Sequence, residues 1–290
     1  MFSYFSCFEY LIKLLKKKFP NDCLDNKLEL FQNDLVLLCC KSKKDFLNNL
    51  FNDNIDSIEF KEKCYKIKKY VLFDEPIQYM TRRVNFYNNE FKVNKGVFIP
   101  QVSTETLVSF LIILSEKIWG KNYKLNVLEI GSGSGVIPIS LSFHEKNWKF
   151  TSVDLNKQAI YISKFNAYRL GIKNIKFLDS NIFSNVIGKF DIIFSNPPYI
   201  SKDNYRTLDK VVKKQPKNSL IASKNGFSFY YKIISNMSCF LKKRFLVLFE
   251  VGINQIDPVK EMINNYFPYA KVEYFKDNSS ILRVLAFYIN

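Results

Sequence analysis

Apolar residues recur at spacings of three and four through the first 75 residues. Phe5, Phe8, Leu11, Ile12, Leu15 and Phe19 form one stripe, and Leu24, Leu28, Phe31, Leu35 and Leu38 form a second. Phe46, Leu47 and Leu50 suggest a short third helix, and Ile58 to Leu72 a fourth. Stripes of this period bury one face of each helix against the others, which predicts a small helical bundle. No residue type in this stretch is arranged for chemistry, so it reads as a docking or packing module.

The pattern changes after residue 75. Val84-Asn85-Phe86 and Phe91-Lys92-Val93 alternate around Asn88-Asn89, which predicts a hairpin with asparagines at its tip and makes residues 76–100 a β-hairpin linker. Residues 104–118 return to helical spacing. From residue 126 strands and helices alternate. Strands are expected at Asn126–Ile130, Phe150–Val153, Ile175–Leu178, Phe190–Ser195 and Phe245–Val251. Helices are expected at Val136–Phe143 and about Lys157–Leu170, and the strands Val272–Phe275 and Ile281–Phe287 close the chain. Repeated strand–helix units imply an α/β, doubly wound, mostly parallel sheet covered on both faces, with an antiparallel excursion at its end.

Composition narrows the class. At 290 residues, two domains are expected: 1–75 as the helical domain and 101–290 as the sheet domain beyond the linker. Apolar residues at 47% and charged residues at 24% exclude a disordered tail, a collagen or a coiled-coil rod. No apolar run approaches the roughly 18 residues that span a bilayer. Lys16, Lys17 and Lys18 follow the first apolar residues instead of preceding them, so no signal peptide is expected. Six cysteines without a CxxC pair, and the single His144, argue against a zinc site or a disulfide framework and for a reduced, cytoplasmic protein. The net charge of +16 is uneven: residues 1–75 hold 13 basic and 12 acidic side chains, residues 76–290 hold 30 and 15. Such a field can recruit an acidic partner, although 37 lysines among 43 basic residues also fit an AT-rich coding bias.

Two loops carry candidate chemistry. The segment Glu129-Ile130-Gly131-Ser132-Gly133-Ser134-Gly135 ends one strand and opens a helix, and its glycines let backbone approach a ligand closely. A dinucleotide fingerprint would place its third glycine where Val136 stands, which disfavours a pyrophosphate. Asp154, at the end of the next strand, can accept from both ribose hydroxyls, so the set points to an adenosine-type cofactor. The second loop, Asn196-Pro197-Pro198-Tyr199, follows the strand Phe190–Ser195. Its prolines remove two N–H donors, leaving carbonyls and the asparagine amide, which suits gripping a planar –NH2 group. Tyr199 can stack on that group.

With these motifs the chain resembles the class I S-adenosylmethionine methyltransferases that modify planar amino groups, and more narrowly the HemK-type release-factor glutamine N5-methyltransferases. The resemblance extends through Glu75-Pro76-Ile77, Phe86-Tyr87, Phe98–Glu105, Val127–Asp154, Gly171–Ile175, Ser195–Ile200, Ser219–Ala222 and Phe249–Gly252. It implies a class I methyltransferase fold, S-adenosylmethionine as cofactor, no metal, and the GGQ glutamine of peptide chain release factors as target. Residues 1–75 would be the docking domain. Carried over, Gly131–Gly135 would wrap the methionine part of the cofactor, with Glu129 in the same motif. Asp154 would hold the ribose, and Asn181 and Ile182 would lie along the adenine. Asn196 and the Pro197 carbonyl would hold the target amide, with Pro198 and Tyr199 shaping its slot. The chain departs from the family pattern at four positions: Gln101-Val102 stand for Arg-Pro, Asn181 for an acidic residue, and Gln215 for Glu. A monomer is expected, and His144 is expected at the surface. Lys202, Arg206, Lys210, Lys213, Lys214, Lys217 and Lys224 form either a solvated face or a rim for the substrate. Adenine in nucleic acid, or a ribosomal-protein glutamine, are the alternative targets. The near-neutral helical region without a basic recognition helix makes nucleic acid the less expected one.

Overall fold

The computed structural model of the protein describes residues 74–290, together with Glu9, Lys13 and Glu62. The helical bundle expected within residues 1–75 thus lies outside the described residues apart from these few positions, as do Cys7, Cys23, Cys39, Cys40 and Cys64. The chain divides into two compact units, one of Met1–Arg82 with Lys210–Lys214, the other of Arg83–Asp209 with Gln215–Asn290. In the described part of the first are two short helices, Ile77–Thr81 and Lys210–Lys213.

The larger unit opens on a hairpin of β1 (Arg83–Phe86) and β2 (Asn89–Lys92). Phe86 pairs with Asn89, so the turn is Tyr87-Asn88, one residue earlier than the expected asparagine tip. Both turn residues have positive φ, 45° and 62°, and the Asn89 side chain donates to the Tyr87 carbonyl. Asn88 supplies the left-handed conformation cheaply, and Asn89 is needed in the ladder.

After α1 (Glu105–Trp119), strands and helices alternate: β3 (Asn126–Ile130), α2 (Val136–His144), β4 (Lys149–Asp154), α3 (Lys157–Arg169), β5 (Ile175–Asp179) and β6 (Phe190–Ser195). Then come α4 (Ser228–Asn236), β7 (Leu241–Glu250), α5 (Ile256–Tyr266), β8 (Lys271–Lys276) and β9 (Leu282–Ile289). The seven strands from β3 onward form one sheet in the order β5-β4-β3-β6-β7-β9-β8. Only β9 runs against the others, pairing antiparallel with β7 and β8. Alternate residues feed opposite cores. Val127, Ile192 and Leu246 face the cluster covered by α1, α2 and α3, whereas Leu128, Ile193 and Val247 face the cluster covered by α4 and α5. Each such fully buried side chain contributes about 1.5–3 kcal/mol over its exposed state. Because both faces are covered, the central strands are near-continuous apolar runs, which is why β3 and β6 begin and end where the sequence pattern places them.

β7 starts four residues before the expected Phe245. Its early charged residues, Lys242-Lys243-Arg244, are accommodated at the strand's start: Lys242 pairs with Asp191 at 2.7 Å, and Arg244 donates to the Ile118 carbonyl and covers the Trp119 ring. The chain runs from β3 outward through β4 and β5, then returns to build β6 and β7 on the other side. That reversal places the crevice of the sheet outside the carboxyl ends of β3 and β6.

Candidate active site

Both motif loops leave the sheet at this reversal. Ile130 pairs with Ser195, and the Ser195 hydroxyl donates to the Ile130 carbonyl at 2.6 Å, so the glycine loop and Asn196 start from adjacent strand ends. A Cβ placed on Gly131 would stand 3.9 Å from the Asn196 carbonyl oxygen. The two loops expected from the sequence form one site.

The glycine loop is folded by its own backbone. Gly131 and Ser132 N–H both donate to the Val153 carbonyl of β4, at 2.7 and 2.9 Å, and Gly135 N–H closes the turn onto the Ser132 carbonyl at 2.8 Å. Gly135 is required twice over: its φ is +80°, and a Cβ there would meet Ser163 of α3 at 2.8 Å. Gly131 is exposed and Gly133 has open space where a Cβ would lie. The Ser132 and Ser134 hydroxyls are buried without a partner. Below the loop, Glu129 is buried, accepts from the Ser152 hydroxyl through Oε2, and keeps Oε1 buried with no partner. Burial holds this carboxyl well above the usual range, with the Asp154 charge adding to the shift.

Asp154 is not an idle carboxylate. Its Oδ2 accepts from Gly133 N–H at 2.9 Å and its Oδ1 from Asn156 N–H at 2.8 Å. Burial raises its pKa, and these backbone donors oppose the rise. Each oxygen retains acceptor capacity beyond these bonds. Asn181 and Ile182 follow β5, one strand further out. The loop is tied inward by Ser180 N–H on the Asp154 carbonyl (3.0 Å), Asn181 is exposed, and Ile182 is half-buried with φ +55°. Glu129, Asp154 and Asn181 therefore stand at or beside three neighbouring strand ends.

At the other end, Pro197 is buried, and Asn196, Pro198 and Tyr199 are half-buried. Asn196 Nδ2 donates to the Thr104 hydroxyl at 3.2 Å, and the Tyr199 hydroxyl donates to Glu250 Oε1 at 3.4 Å. The Tyr199 carbonyl accepts from Gln255 Nε2 at 2.9 Å, and Ile200 is pinned to Leu220 and Ala222 by two backbone hydrogen bonds. Burial lifts the Tyr199 phenol, with the Glu250 charge adding to it. Thr104, Glu250 and Gln255 are side chains to which the sequence pattern assigns no role. The one signal for Glu250 is a carboxylate ending an otherwise apolar strand, Phe245–Glu250.

Two of the departures from the family pattern, Gln215 and Gln101, have local accounts. Buried Gln215 uses Oε1 to accept from Ile99 N–H at 2.9 Å, and Gln101 donates to the Ile99 carbonyl at 2.9 Å, so both hold the segment leading to Thr104. An acceptor is what the Gln215 position needs, and glutamine provides one. His144 is exposed at the end of α2 with its ring against Tyr87. The basic cluster is divided. Lys202, Arg206, Lys217 and Lys224 belong to the larger unit, with Lys224 over the Tyr231 ring and Arg206 paired with Asp203, while Lys210, Lys213 and Lys214 belong to the other. Among the described residues, no cluster of His, Cys, Asp and Glu is placed to hold a metal ion, and no helix is long and apolar enough to cross a membrane.

The sheet order, the glycine loop and the acceptor-rich loop beside it define a class I methyltransferase, and the family model described as Methyltransferase small domain matches residues 89–221. Solved structures share the fold. The human Mettl16 catalytic domain in complex with an RNA hairpin superposes with a TM-score of 0.54 at 17% identity, over 88% of this chain and 90% of that one. The Thermus thermophilus 16S rRNA N2 G1207 methyltransferase does so at 0.50 and 15%, over 72% and 50%. Closer in sequence are the release factor glutamine methyltransferase of Bacillus cereus, 35% identical over 82% of this chain and 85% of its own, and that of Bacillus subtilis, 32% identical over 74% and 77%. The chain belongs to the release factor glutamine methyltransferase family.

Proposed function

We propose that this protein methylates the side-chain amide nitrogen of the GGQ glutamine of peptide chain release factors, using S-adenosylmethionine. The observation that carries the reading is the juxtaposition of the open glycine loop and the Asn196-Pro197-Pro198-Tyr199 loop on the adjacent strands β3 and β6. The residues present fit the cofactor. Gly131 to Gly135 offer backbone without side chains plus the unpartnered Ser132 and Ser134 hydroxyls for its methionine part, over the free oxygen of Glu129. Asp154 would accept from the ribose, and Asn181 and Ile182 would flank the adenine. When bound, S-adenosylmethionine supplies an electrophilic methyl group on sulfur.

The chain's own contribution is positioning. An amide nitrogen is a poor nucleophile, and fixing its approach is worth up to roughly 7–11 kcal/mol. The Asn196 side-chain oxygen and the Pro197 carbonyl would accept the two amide hydrogens, turning the nitrogen toward the glycine loop, while Tyr199 and Pro198 would close the slot. The N–C bond the amide nitrogen would gain replaces the bond from the methyl carbon to sulfur, which would leave as a thioether, and one amide proton would pass to solvent. Residues 1–75 would dock the release factor. Substitutions there should then raise KM for the folded factor without changing it for a short GGQ peptide.

The test is transfer of radiolabelled methyl to purified release factor, with a GGQ-to-GGA version and duplex DNA alongside. Label on the GGQ protein alone is expected. Label on DNA, or equal label on the GGA version, would overturn the reading.

A further inference from the structure

Building on that reading, we propose that Glu250 is a positioning residue for the amide grip. Through Thr104 and Tyr199, it fixes the Asn196 side chain with its NH2 turned into the protein and its oxygen left to accept from the target amide.

The shape of an amide side chain does not fix its orientation. Its two ends have the same shape and opposite hydrogen-bonding character, so a flipped Asn196 would present a donor where an acceptor is needed. Asn196 Nδ2 donates to Thr104 Oγ1 at 3.2 Å. A hydroxyl that accepts from an amide has its own proton to give away, and the side chain that stands against both Thr104 and Asn196 is Glu250. Thr104 and Glu250 are each 2% exposed, so no bulk water can substitute. Glu250 Oε1 takes the Tyr199 hydroxyl at 3.4 Å, and Oε2 is buried with no hydrogen bond, which leaves the carboxylate with acceptor capacity to spare. An ionised carboxylate only accepts. It therefore sets one direction for the chain of donors: amide to hydroxyl, hydroxyl toward carboxylate. A protonated Glu250 offers a donor instead and removes that direction.

The backbone holds the carboxylate in place. Ser195 pairs with Phe249, which sets Glu250 beside Asn196, and the Tyr230 hydroxyl donates to the Glu250 carbonyl at 2.8 Å. The charged and titratable groups facing it are Arg283 on β9, Tyr199 and Tyr230. Arg283 is itself paired with Asp277 at 3.1 Å and is shared, not dedicated to Glu250. Burial pushes the Glu250 carboxyl up to about 7, against the pull of Thr104, Arg283, Tyr199 and Asn196. Its ionisation thus falls within the working pH range.

The test compares wild type, Glu250→Gln, Thr104→Val and Thr104→Ser on GGQ release factor from pH 5.5 to 9, with cofactor affinity measured on the same samples. Wild type should lose kcat on the acid side of about pH 7. Glu250→Gln and Thr104→Val should lower kcat on the order of 10²-fold, as for loss of one oriented group at a reacting centre, with cofactor affinity unchanged. Glu250→Gln should also lose the acid limb, which a merely structural defect, or titration of Glu129 or Asp154, would leave in place. Thr104→Ser should restore most of the rate. If Glu250→Gln fails to bind cofactor, Thr104→Val decides, and full kcat in that variant overturns the proposal. A wild type that labels the GGQ protein beside a Glu250→Gln variant with full kcat and an intact acid limb overturns the proposal alone. A wild type that leaves the GGQ protein unlabelled overturns the substrate reading and the proposal with it.

Discussion

The two ends of the crevice are built by different means. The glycine-loop end is local: its turn is closed by backbone groups within Gly131–Gly135 and by the neighbouring strand, and its carboxylate, Asp154, is fixed by Gly133 and Asn156. The amide end is assembled from side chains far apart in the chain. Asn196 leans on Thr104, Tyr199 on Glu250 and Gln255, and Gly226 and Gly252 leave room for Tyr199. A loop held by its own backbone can shape itself around a cofactor that several folds and reactions share. A grip that must present acceptors in one orientation needs partners from elsewhere in the fold.

The largest effect expected from breaking this division is at Asn196. On the proposed reading, Asn196→Ala removes an acceptor from the target amide and should lower kcat about 10²–10³-fold while cofactor affinity holds. Normal turnover by that variant, measured with release factor at saturation, would leave the amide end without its main contact. At the other end, Asp154→Ala should act in reverse, weakening cofactor binding by about 1.5–3 kcal/mol, the worth of hydrogen bonds to a charged group. Calorimetric titration with S-adenosylhomocysteine checks it, and an unchanged dissociation constant would remove Asp154 from the ribose. A smaller and sharper contrast comes from two glycines. At Gly226, with φ +98°, a Cβ would fall 2.3 Å from the Tyr199 carbonyl oxygen, so Gly226→Ala must displace that loop and should reduce kcat at constant cofactor affinity. At Gly133 a Cβ meets nothing in the protein within 4 Å, so Gly133→Ala should reduce cofactor affinity first. The same measured effect in both variants would mean that the two ends are not separable.

The same division explains what the sequence makes legible. Glu129–Gly135, Asp154 and Asn196–Tyr199 stand out because each follows a buried apolar strand, and strand, turn and functional residue are contiguous. β3 and β6 match the sequence pattern to the residue for that reason. Thr104 and Gln255 carry no such signal, and Glu250 only that of a carboxylate ending an apolar strand, because their partners lie between 51 and 92 residues away along the chain and only the sheet order brings them together. Besides short helices such as Ile77–Thr81, Lys202–Thr207 and Lys210–Lys213, two longer ones escape the pattern for local reasons. α4 (Ser228–Asn236) is rich in aromatic and β-branched residues, which are indifferent helix formers, and it is held by burial of Tyr230, Ile233 and Ile234. α5 carries Pro258, which reads as a breaker but sits in the first turn, where its missing N–H costs nothing.

The smallest expected effect concerns stability. Glu250 is forced to ionise in a buried place, whereas an unfolded chain leaves it at the ordinary 4.5, so the folded state binds its proton more tightly. The stabilisation from this group is therefore complete below the unfolded value and is lost as pH rises through about 7. Between pH 5.5 and 8.5 the loss is at most about 2 kcal/mol, since each tenfold difference in proton affinity between the two states is worth about 1.36 kcal/mol. For a chain of 290 residues that corresponds to about 3 °C in Tm. Glu250→Gln has no proton to lose at this position and should show a smaller drop in Tm than wild type from pH 5.5 to 8.5. Asp154→Asn, at the backbone-held end, removes the carboxyl that burial raises at the other end of the crevice. The two variants separate on rate. Losing the charge at Glu250 should cost kcat with cofactor affinity intact, and losing it at Asp154 should cost cofactor affinity first. A Glu250→Gln protein that gains alkaline stability and keeps its rate would show a buried carboxylate carried at a cost without serving the grip.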